Sequence, residues 1–196
     1  MTKFFKLFTV FFLLSLIGFS QISKIHYIPP LTANDLQQGG GGSIPYDQHL
    51  YLSTPSTSDV TVKITILSTG QEITYTDLRN DNPKVYQLTA DNPNQEQALN
   101  GVLFVDKDGT GSNRLSSGLV IDADCPVYAS IRYNAGAQAG ALVSKGDASL
   151  GTHFRTGMMT NGNQSDENEF QNSTNSHNLN FISVMATQDN TTVRID

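Results

Sequence analysis

The residues best suited to metal chemistry lie in one acidic, glycine-containing stretch, Asp106 to Asn113. Counting Asp106 as position one, Asp108 falls at position three and Gly111 at position six, as in an EF-hand calcium loop. Position twelve is Ser117, where such a loop carries a bidentate Glu. The stretch is also typical of a turn between two strands, in which Asp and Gly supply local hydrogen bonds and positive φ. Asp106, Asp108 and Asn113 are therefore a calcium candidate beside that alternative, and no other cofactor is expected.

Residue types that could catalyse hydrolysis or bind zinc are present without the spacing of a site. The four histidines are scattered along the chain: His26, His49, His153 and His177. They form neither a His-x-His nor a His-Glu-x-x-His pattern, so no zinc site is predicted. Ser144 lacks the first glycine and the strand-to-helix context of a nucleophile elbow. A carboxylate pair could act on a sugar, but we interpret Asp122 and Asp124 as turn residues before Pro126. We predict that the chain is not an enzyme.

Aromatic side chains offer a binding chemistry instead. Trp is absent from the chain, but tyrosine rings can also stack on sugar rings. Six tyrosines are candidates for such stacking: Tyr46, Tyr51, Tyr75, Tyr86, Tyr128 and Tyr133. They keep a carbohydrate-binding module open as an alternative function.

The elements that must position these residues are short strands separated by Gly-, Asn-, Asp- and Pro-rich turns. Residues 60–66 alternate apolar and polar side chains, and in 126–133 Val127, Ala129, Ile131 and Tyr133 share one face. Strands are predicted at 26–28, 60–67, 73–76, 84–88, 101–105, 118–121, 126–133, 139–144, 152–158, 179–187 and 192–195. Nowhere does an apolar 3.6-residue period persist together with a helix cap, so helix should be scarce.

This pattern predicts an all-β fold, an antiparallel β-sandwich-like module preceded by a signal-peptide helix. A partial β-propeller or another repeated β architecture is the alternative, since both are built from short antiparallel strands. The last predicted strand has only begun when the sequence stops at Asp196. Because a strand needs partners for its backbone N–H and C=O groups, we expect the domain to be truncated at its C-terminal end.

Residues 1–20 have the three-part layout of a secretory signal. Lys3 and Lys6 supply the positive start, an apolar run follows from Leu7 to Phe19, and Gly18 and Ser20 provide the small residues for cleavage. The run is too short to span a bilayer, which takes about 20 residues. We expect residues 21–48 to be an extended segment with the Gly39–Gly42 loop and residues 49–196 to be the β domain. The chain should be secreted or displayed at the cell surface, with no transmembrane span in this segment.

The charge balance narrows the class of partner. The chain has 12 Lys and Arg against 18 Asp and Glu. Without Lys3 and Lys6 the balance is 10 to 18, a net charge of −8. That excess of acid argues against a nucleic-acid partner, because phosphates are neutralised by clustered Lys and Arg. Cys125 is the only cysteine, so no internal disulfide is possible, and its setting predicts a half-buried, inert thiol.

Several sequence blocks together resemble one known family. They are His26-Tyr-Ile-Pro-Pro, Tyr51-Leu-Ser-Thr-Pro-Ser, Gly118-Leu-Val-Ile, Cys125-Pro-Val-Tyr-Ala-Ser-Ile-Arg, Gly140-Ala-Leu-Val-Ser-Lys-Gly, Leu150-Gly-Thr-His-Phe and Val184-Met-Ala-Thr-Gln-Asp-Asn-Thr-Thr-Val. They look like the domain named after the N-terminal region of the IgG Fc-binding protein. More closely, they resemble its versions in large secreted, gliding-associated surface proteins of Bacteroidota-type bacteria. The resemblance covers most of the chain after residue 20.

The resemblance implies an extracellular role in adhesion or cohesion. It also implies further β modules and a type IX secretion signal downstream in the same polypeptide. The expected partners are therefore an extracellular protein or polysaccharide and further domains of the same chain. A third alternative is the non-catalytic N-terminal part of a secreted hydrolase. The family name does not establish Fc binding for this chain.

Overall fold

A computed structural model of the chain describes residues 21–33, 45–89, 102–106, 113, 116–135, 138–157 and 182–195. Within these residues the strands, in chain order, are β1 (Ser23–Ile28), β2 (Leu31–Ala33), β3 (Tyr46–Ser53), β4 (Val60–Ile66), β5 (Gln71–Leu78), β6 (Lys84–Gln87), β7 (Phe104–Asp106), β8 (Leu119–Ala135) and β9 (Gln138–Ser144). The predicted signal peptide, the Gly39–Gly42 loop and the Asn-rich stretch 161–178 lie outside the described residues.

The fold is all-β, which confirms the fold class predicted from the alternating pattern. In the described residues the helical content is a single short 3-10 helix, Gly146–Ser149. No helix among them is long and apolar enough to cross a bilayer.

Strand β8 organises the molecule, because four other strands pair with it. Its first half lies between β1 and β4, and its second half lies between β3 and β9, all antiparallel. Strand β5 extends the first half beyond β4, and β6 extends the second half beyond β3. The seven strands therefore form one curled sheet around β8 rather than a series of four-stranded blades, which favours the sandwich-like prediction over the propeller alternative.

The inward faces of both halves share one core. Strand β4 shows the cause most simply, since Val60, Val62, Ile64 and Ile66 are all buried while the residues between them are exposed or half-buried. The same period holds along β8, and it buries alternate residues in both of its halves. The fully buried members of the cluster with the largest side chains are Ile28, Leu50, Leu52, Ile64, Leu78, Leu103, Leu119, Ile121 and Ile131.

Strand β8 is a single element where the sequence predicted two strands and a turn. Ser23 pairs with Val127 and Ile25 with Asp122, so β8 carries extra residues opposite one short step of β1. Such a bulge bends the strand, and it accommodates Pro126, which cannot donate to a ladder. The interpretation of Asp122 and Asp124 as turn residues is therefore wrong, because pairing with β4 and β1 keeps this stretch extended. Cys125 is exposed at the bulge rather than half-buried.

A small parallel pair lies beside the main sheet. Strands β2 and β7 pair from Leu31 with Phe104 to Ala33 with Asp106. The rings of Phe104 and Tyr133 meet edge to face at a centroid distance of 4.9 Å, which joins this pair to the second half of β8. The main sheet includes strands on both sides of the boundary expected between residues 48 and 49. Strand β1 precedes that boundary and pairs with β8, and β3 runs across it.

Three predicted strands near the C-terminal end are wrong as far as the structure describes them. Residues 152–157 and 182–195, which cover most of the ranges 152–158, 179–187 and 192–195, contain no assigned strand. Their apolar side chains Ile182, Val184, Val193 and Ile195 are exposed. The alternating pattern alone does not make a strand, because a ladder needs a neighbouring backbone to pair with.

Candidate functional site

A buried polar cluster lies where β1, β8 and β9 meet. The ring of His26 is fully buried, and its Nδ1 lies 2.9 Å from Ser144 Oγ. Its Nε2 lies 2.9 Å from the carbonyl oxygen of Val127. The two side chains come from positions 118 residues apart in the chain, so pairing of both β1 and β9 with β8 is what brings them together.

These contacts determine the tautomer of His26. A carbonyl oxygen only accepts, so Nε2 carries the hydrogen and donates it to Val127. In the neutral ring Nδ1 is then the acceptor, and the Ser144 hydroxyl donates to it. The same hydroxyl oxygen accepts a hydrogen bond from the N–H of Gly146 at 3.3 Å. Burial lowers the pKa of His26 below its ordinary value of 6.5, and the hydrogen bond to Val127 and the charge of Asp147 oppose that shift only in part.

Ser23 and Asp147 complete the cluster on the side of the short helix. The Ser23 hydroxyl donates to Asp147 Oδ2 at 2.9 Å and accepts from the N–H groups of Ile25 and Asp147 at 3.3 Å each. Gly146, between these partners, has φ +53°, and an added Cβ there would lie 2.1 Å from Ser23 Cβ. Only glycine fits this close approach.

Ser144 and His26 are residue types that can act as a nucleophile and its base, but here they are not accessible to a substrate. A serine nucleophile has to reach a substrate carbonyl while its base takes the proton. Ser144 is only 8% exposed and His26 is 0% exposed, so a substrate cannot reach either group in this conformation. What the contacts do accomplish is to tie β1, the bend of β8 and the end of β9 together. Ser144 has a structural role in this arrangement.

The opposite side of the same half of the sheet is exposed and aromatic. We call this surface the outer face and define it by the outward side chains of four neighbouring strands. Its main members are His49 and Tyr51 on β3, Val85 on β6, Tyr128 and Arg132 on β8, and Val143 on β9. In one row across the sheet Val85 is opposite Tyr51, Tyr51 is opposite Ser130, and Ser130 is opposite Val143. The outer face is thus continuous across β6, β3, β8 and β9.

Two tyrosines supply the aromatic surface of the outer face. Tyr51 is 36% exposed and Tyr128 is 40% exposed. Tyr51 is opposite Ser130, and Tyr128 is opposite Ser53, so the two tyrosines are diagonal neighbours on adjacent strands. Diagonal neighbours on one face lie about 7–8 Å apart, within reach of one ligand.

Arg132 is the cation of the outer face, and its guanidinium contacts an aromatic ring. Its guanidinium carbon lies 5.2 Å from the centroid of the Tyr51 ring, a cation–π contact. Opposite it on β3, His49 Nδ1 lies 3.0 Å from the carbonyl oxygen of Asp47 and 3.3 Å from its carboxylate. The other carboxylate oxygen of Asp47 accepts from Asn134 Nδ2 at 2.6 Å. Polar groups therefore border the aromatic surface at the Asn134 end of β8.

The remaining sugar-stacking candidates have other positions. Tyr75, Tyr86 and Tyr133 are half-buried and pack against the core, so their rings are committed to the fold. Tyr46 is at the start of β3, but its side chain lies outside the described residues. Of the six tyrosines proposed from the sequence, Tyr51 and Tyr128 are the two that the structure places together on an exposed surface.

The predicted calcium residues are described only in part. Asp106 is the last residue of β7, Asn113 is exposed, and Asp108 lies outside the described residues. The calcium site stays a prediction. Among the residues that the structure does describe, no three His, Cys, Asp or Glu side chains are grouped as a metal would require.

The outer face could not be found from the spacing of residues in the sequence. Its two tyrosines and its arginine come from strands that are distant in the chain, and only the register between β3 and β8 unites them. The one available signal is that the polar phase of the β8 alternation, from 128 to 134, carries Tyr and Arg instead of only small polar residues. That signal indicates that the outward face of β8 is unusual, but it does not predict which strand pairs with β8 there.

The fold and these two sites define an all-β protein with a curled antiparallel sheet, a satisfied buried polar cluster and an exposed aromatic face. A comparison of the chain with protein-family models, with curated proteins and with solved structures found no match. The resemblance to the IgG Fc-binding N-terminal domain therefore stays a prediction from the sequence blocks.

Proposed function

We propose that this chain is a non-enzymatic extracellular β module of a larger secreted or cell-surface protein, and that it acts in adhesion or cohesion. The observation that carries the proposal is the outer face, where two exposed tyrosines and a cation are held on a paired sheet. Exposed aromatic and arginine side chains on a rigid scaffold are the residue types that dominate binding surfaces.

Export is supported by the sequence. Residues 1–20 have the layout of a secretory signal, and the sheet begins at Ser23, shortly after the expected cleavage position. The resemblance to a domain of secreted bacterial surface proteins favours the same compartment. The acidic balance of the chain favours a protein or polysaccharide partner over nucleic acid.

A binding role is favoured over catalysis by the state of the Ser144–His26 pair. It combines a hydroxyl with an imidazole, yet both groups are buried and hydrogen-bonded within the protein. Catalysis would need a reacting atom beside them, whereas binding needs only the surface that the outer face provides.

A carbohydrate-binding module is a second candidate. It is favoured by the neighbouring positions of Tyr51 and Tyr128, because adjacent exposed rings can stack on successive sugar units. The two candidates share the outer face and differ in the ligand that it meets.

Secretion and cell binding of the full chain test the proposal. The tagged chain should be recovered outside the producing cells, and beads coated with it should adhere to cells or to immobilised extracellular glycoprotein or polysaccharide. Tyr128→Ala should abolish bead adhesion. Phe154→Ala is the matched control, since Phe154 is also exposed but lies outside the sheet. Retention of the full chain inside the cell, or equal adhesion by wild type and Tyr128→Ala, would contradict the proposal.

A further inference from the structure

The cations of the sheet differ in how they are neutralised. Lys63 contacts Glu72 at 3.0 Å and Lys84 contacts Asp77 at 2.7 Å. Arg79, just after β5, contacts Asp59 and Asp81 at 3.4 and 3.2 Å. Three other described cations, Lys24, Lys145 and Arg155, have no ion-pair partner among the described residues.

Arg132 contacts an aromatic ring instead of a carboxylate. Within the part of the chain that the structure describes, it has no ion-pair partner, and its guanidinium lies over the ring of Tyr51. The nearby carboxylate of Asp47 is engaged with His49 and Asn134 instead. Lys24, Lys145 and Arg155 also have no ion pair in the described residues, but Arg132 differs from them in lying over an aromatic ring of the outer face.

A guanidinium placed over an aromatic ring is prepared to bind an acid. Its donors lie in the plane of the group, so the face can rest on the ring while the edge remains available to a carboxylate. Two parallel N–H···O bonds from that edge fix the orientation of the acid as well as its position. Contact with Tyr51 also restricts the side chain before a ligand arrives, which reduces the entropy lost on binding.

The rest of the outer face suits a sugar more than a peptide. Tyr128 offers a ring at the neighbouring diagonal position, where the apolar face of a pyranose can stack. In the neutral ring of His49, Nδ1 donates to Asp47, so Nε2 is the acceptor. The outer face thus offers a hydrogen-bond acceptor, a guanidinium donor and a stacking ring side by side. These groups match a ligand that carries hydroxyl groups, carboxylates and apolar ring faces.

We infer that the outer face binds an acidic polysaccharide, with one sugar carboxylate on Arg132 and a sugar ring stacked on Tyr128. This contact needs a single cation, whereas nucleic-acid phosphates require the clustered Lys and Arg that the chain lacks. The inference rests on the proposed function, because it names the ligand class of the same surface. A protein ligand is the other outcome of the test below.

Polygalacturonic acid and its methyl ester provide a matched pair of probes. Esterification removes the carboxylate charge and keeps the sugar backbone, so the ratio of the two affinities isolates the acid. The full chain, secreted and processed, should bind the acid at least about tenfold more tightly than the ester, since charge-assisted bidentate pairs are roughly twice as strong as neutral hydrogen bonds. Affinity electrophoresis in gels containing each polymer measures the ratio.

Variants assign the preference to the guanidinium. Arg132→Gln should bring the acid-to-ester ratio to about one, and Arg132→Lys should restore only part of it because an ammonium is a point charge without the planar fork. Lys63→Gln is the control, since it removes one exposed cation from the other half of the sheet and should leave the ratio unchanged. Urea midpoints equal to wild type establish that each variant is folded.

The outcomes separate this inference from the proposed function. Equal affinity for acid and ester, or a ratio that survives Arg132→Gln, overturns the inference. If the wild type also binds cells or a glycoprotein through Tyr128, the proposed function stands and the ligand is of another class. If the wild type binds neither polymer, nor cells, nor glycoprotein, both proposals fail.

Discussion

The two sides of the second half of β8 differ in both the type and the exposure of their side chains. On the inner side, His26 and Ser144 have the residue types of catalysis, but both are buried and every contact serves another part of the fold. On the outer side, Tyr128 and Arg132 have no catalytic pattern, yet they are exposed. A side chain that could react with or bind a ligand can do so only where the fold leaves it accessible.

The comparison also separates stability from binding. Changes in the buried cluster should alter the free energy of unfolding and leave the outer face intact in molecules that still fold. Changes on the outer face should do the reverse, because exposed side chains away from special features contribute little to stability.

Gly146→Ala should destabilise the chain most. The new Cβ would lie 2.1 Å from Ser23 Cβ, and the residue would hold φ +53° with a side chain. Together, overpacking and the left-handed backbone should cost about 3 kcal/mol or more. Gly70→Ala is the control, since Gly70 has φ +70° and open space around it, and it should cost about 1 kcal/mol. Urea denaturation measures both, and equal losses would show that the contact with Ser23 is unimportant.

Ser144→Ala should have the next largest effect. It leaves His26 Nδ1 without its donor and the N–H of Gly146 without its acceptor, inside the protein. An unsatisfied buried group costs about 1–3 kcal/mol. Ser130→Ala is the control, because Ser130 is on β8 and its side chain lies on the outer face. It should change the free energy of unfolding by no more than about 0.5 kcal/mol. If the two serine variants unfold at the same urea concentration, the buried cluster does not stabilise the fold.

The pH dependence of stability should report His26. Because burial lowers its pKa, the unfolded chain takes up a proton near pH 6.5 while the folded chain stays neutral to a lower pH. Stability is therefore complete above that pH and decreases as the pH falls from it towards the folded-state pKa. The loss should be about 1.4 kcal/mol for each unit by which the pKa is lowered.

Urea titrations from about pH 8 to about pH 5 measure this slope. His26→Gln should remove it, whereas His153→Gln should retain it, since His153 is exposed. The charge of Asp147 faces the cluster and moderates the shift without reversing it. A slope that persists in His26→Gln would assign the pH dependence to another group.

Tyr128→Ala should have the smallest effect on unfolding. The side chain is 40% exposed and lies on the outer face, so we expect a loss of no more than about 1 kcal/mol. A loss as large as that of Ser144→Ala would mean that Tyr128 is part of the packing and not a free binding group.

The sequence predicts some of the strands in which one side chain in two is buried, but it misses β3, where Gln48, Leu50 and Leu52 are buried in alternation. Strand β4 follows from its own alternation, and the inward residues Val127, Ala129 and Ile131 of β8 were predicted from theirs. The continuity of β8 through Asp122 to Pro126 could not be predicted, because those residues are typical of a turn and only pairing with β1 and β4 holds them extended.

Neither site could be predicted from local patterns. His26 and Ser144 meet because both neighbouring strands pair with β8, and the sequence contains no signal for that register. Gly140 illustrates the same limit: an added Cβ there would lie 2.2 Å from the ring of Tyr133, an approach that appears only once β8 and β9 are aligned. Residue types are local properties, whereas accessibility and partners depend on long-range pairing.

The most direct test compares Tyr128→Ala and Ser144→Ala in the same binding assay, with both proteins fully folded at about pH 8. Binding to polygalacturonic acid or to cells should be lost in Tyr128→Ala at a nearly unchanged urea midpoint. Ser144→Ala should bind like the wild type at a lowered midpoint. Full binding by Tyr128→Ala, or loss of binding by folded Ser144→Ala, would contradict the assignment of function to the outer face.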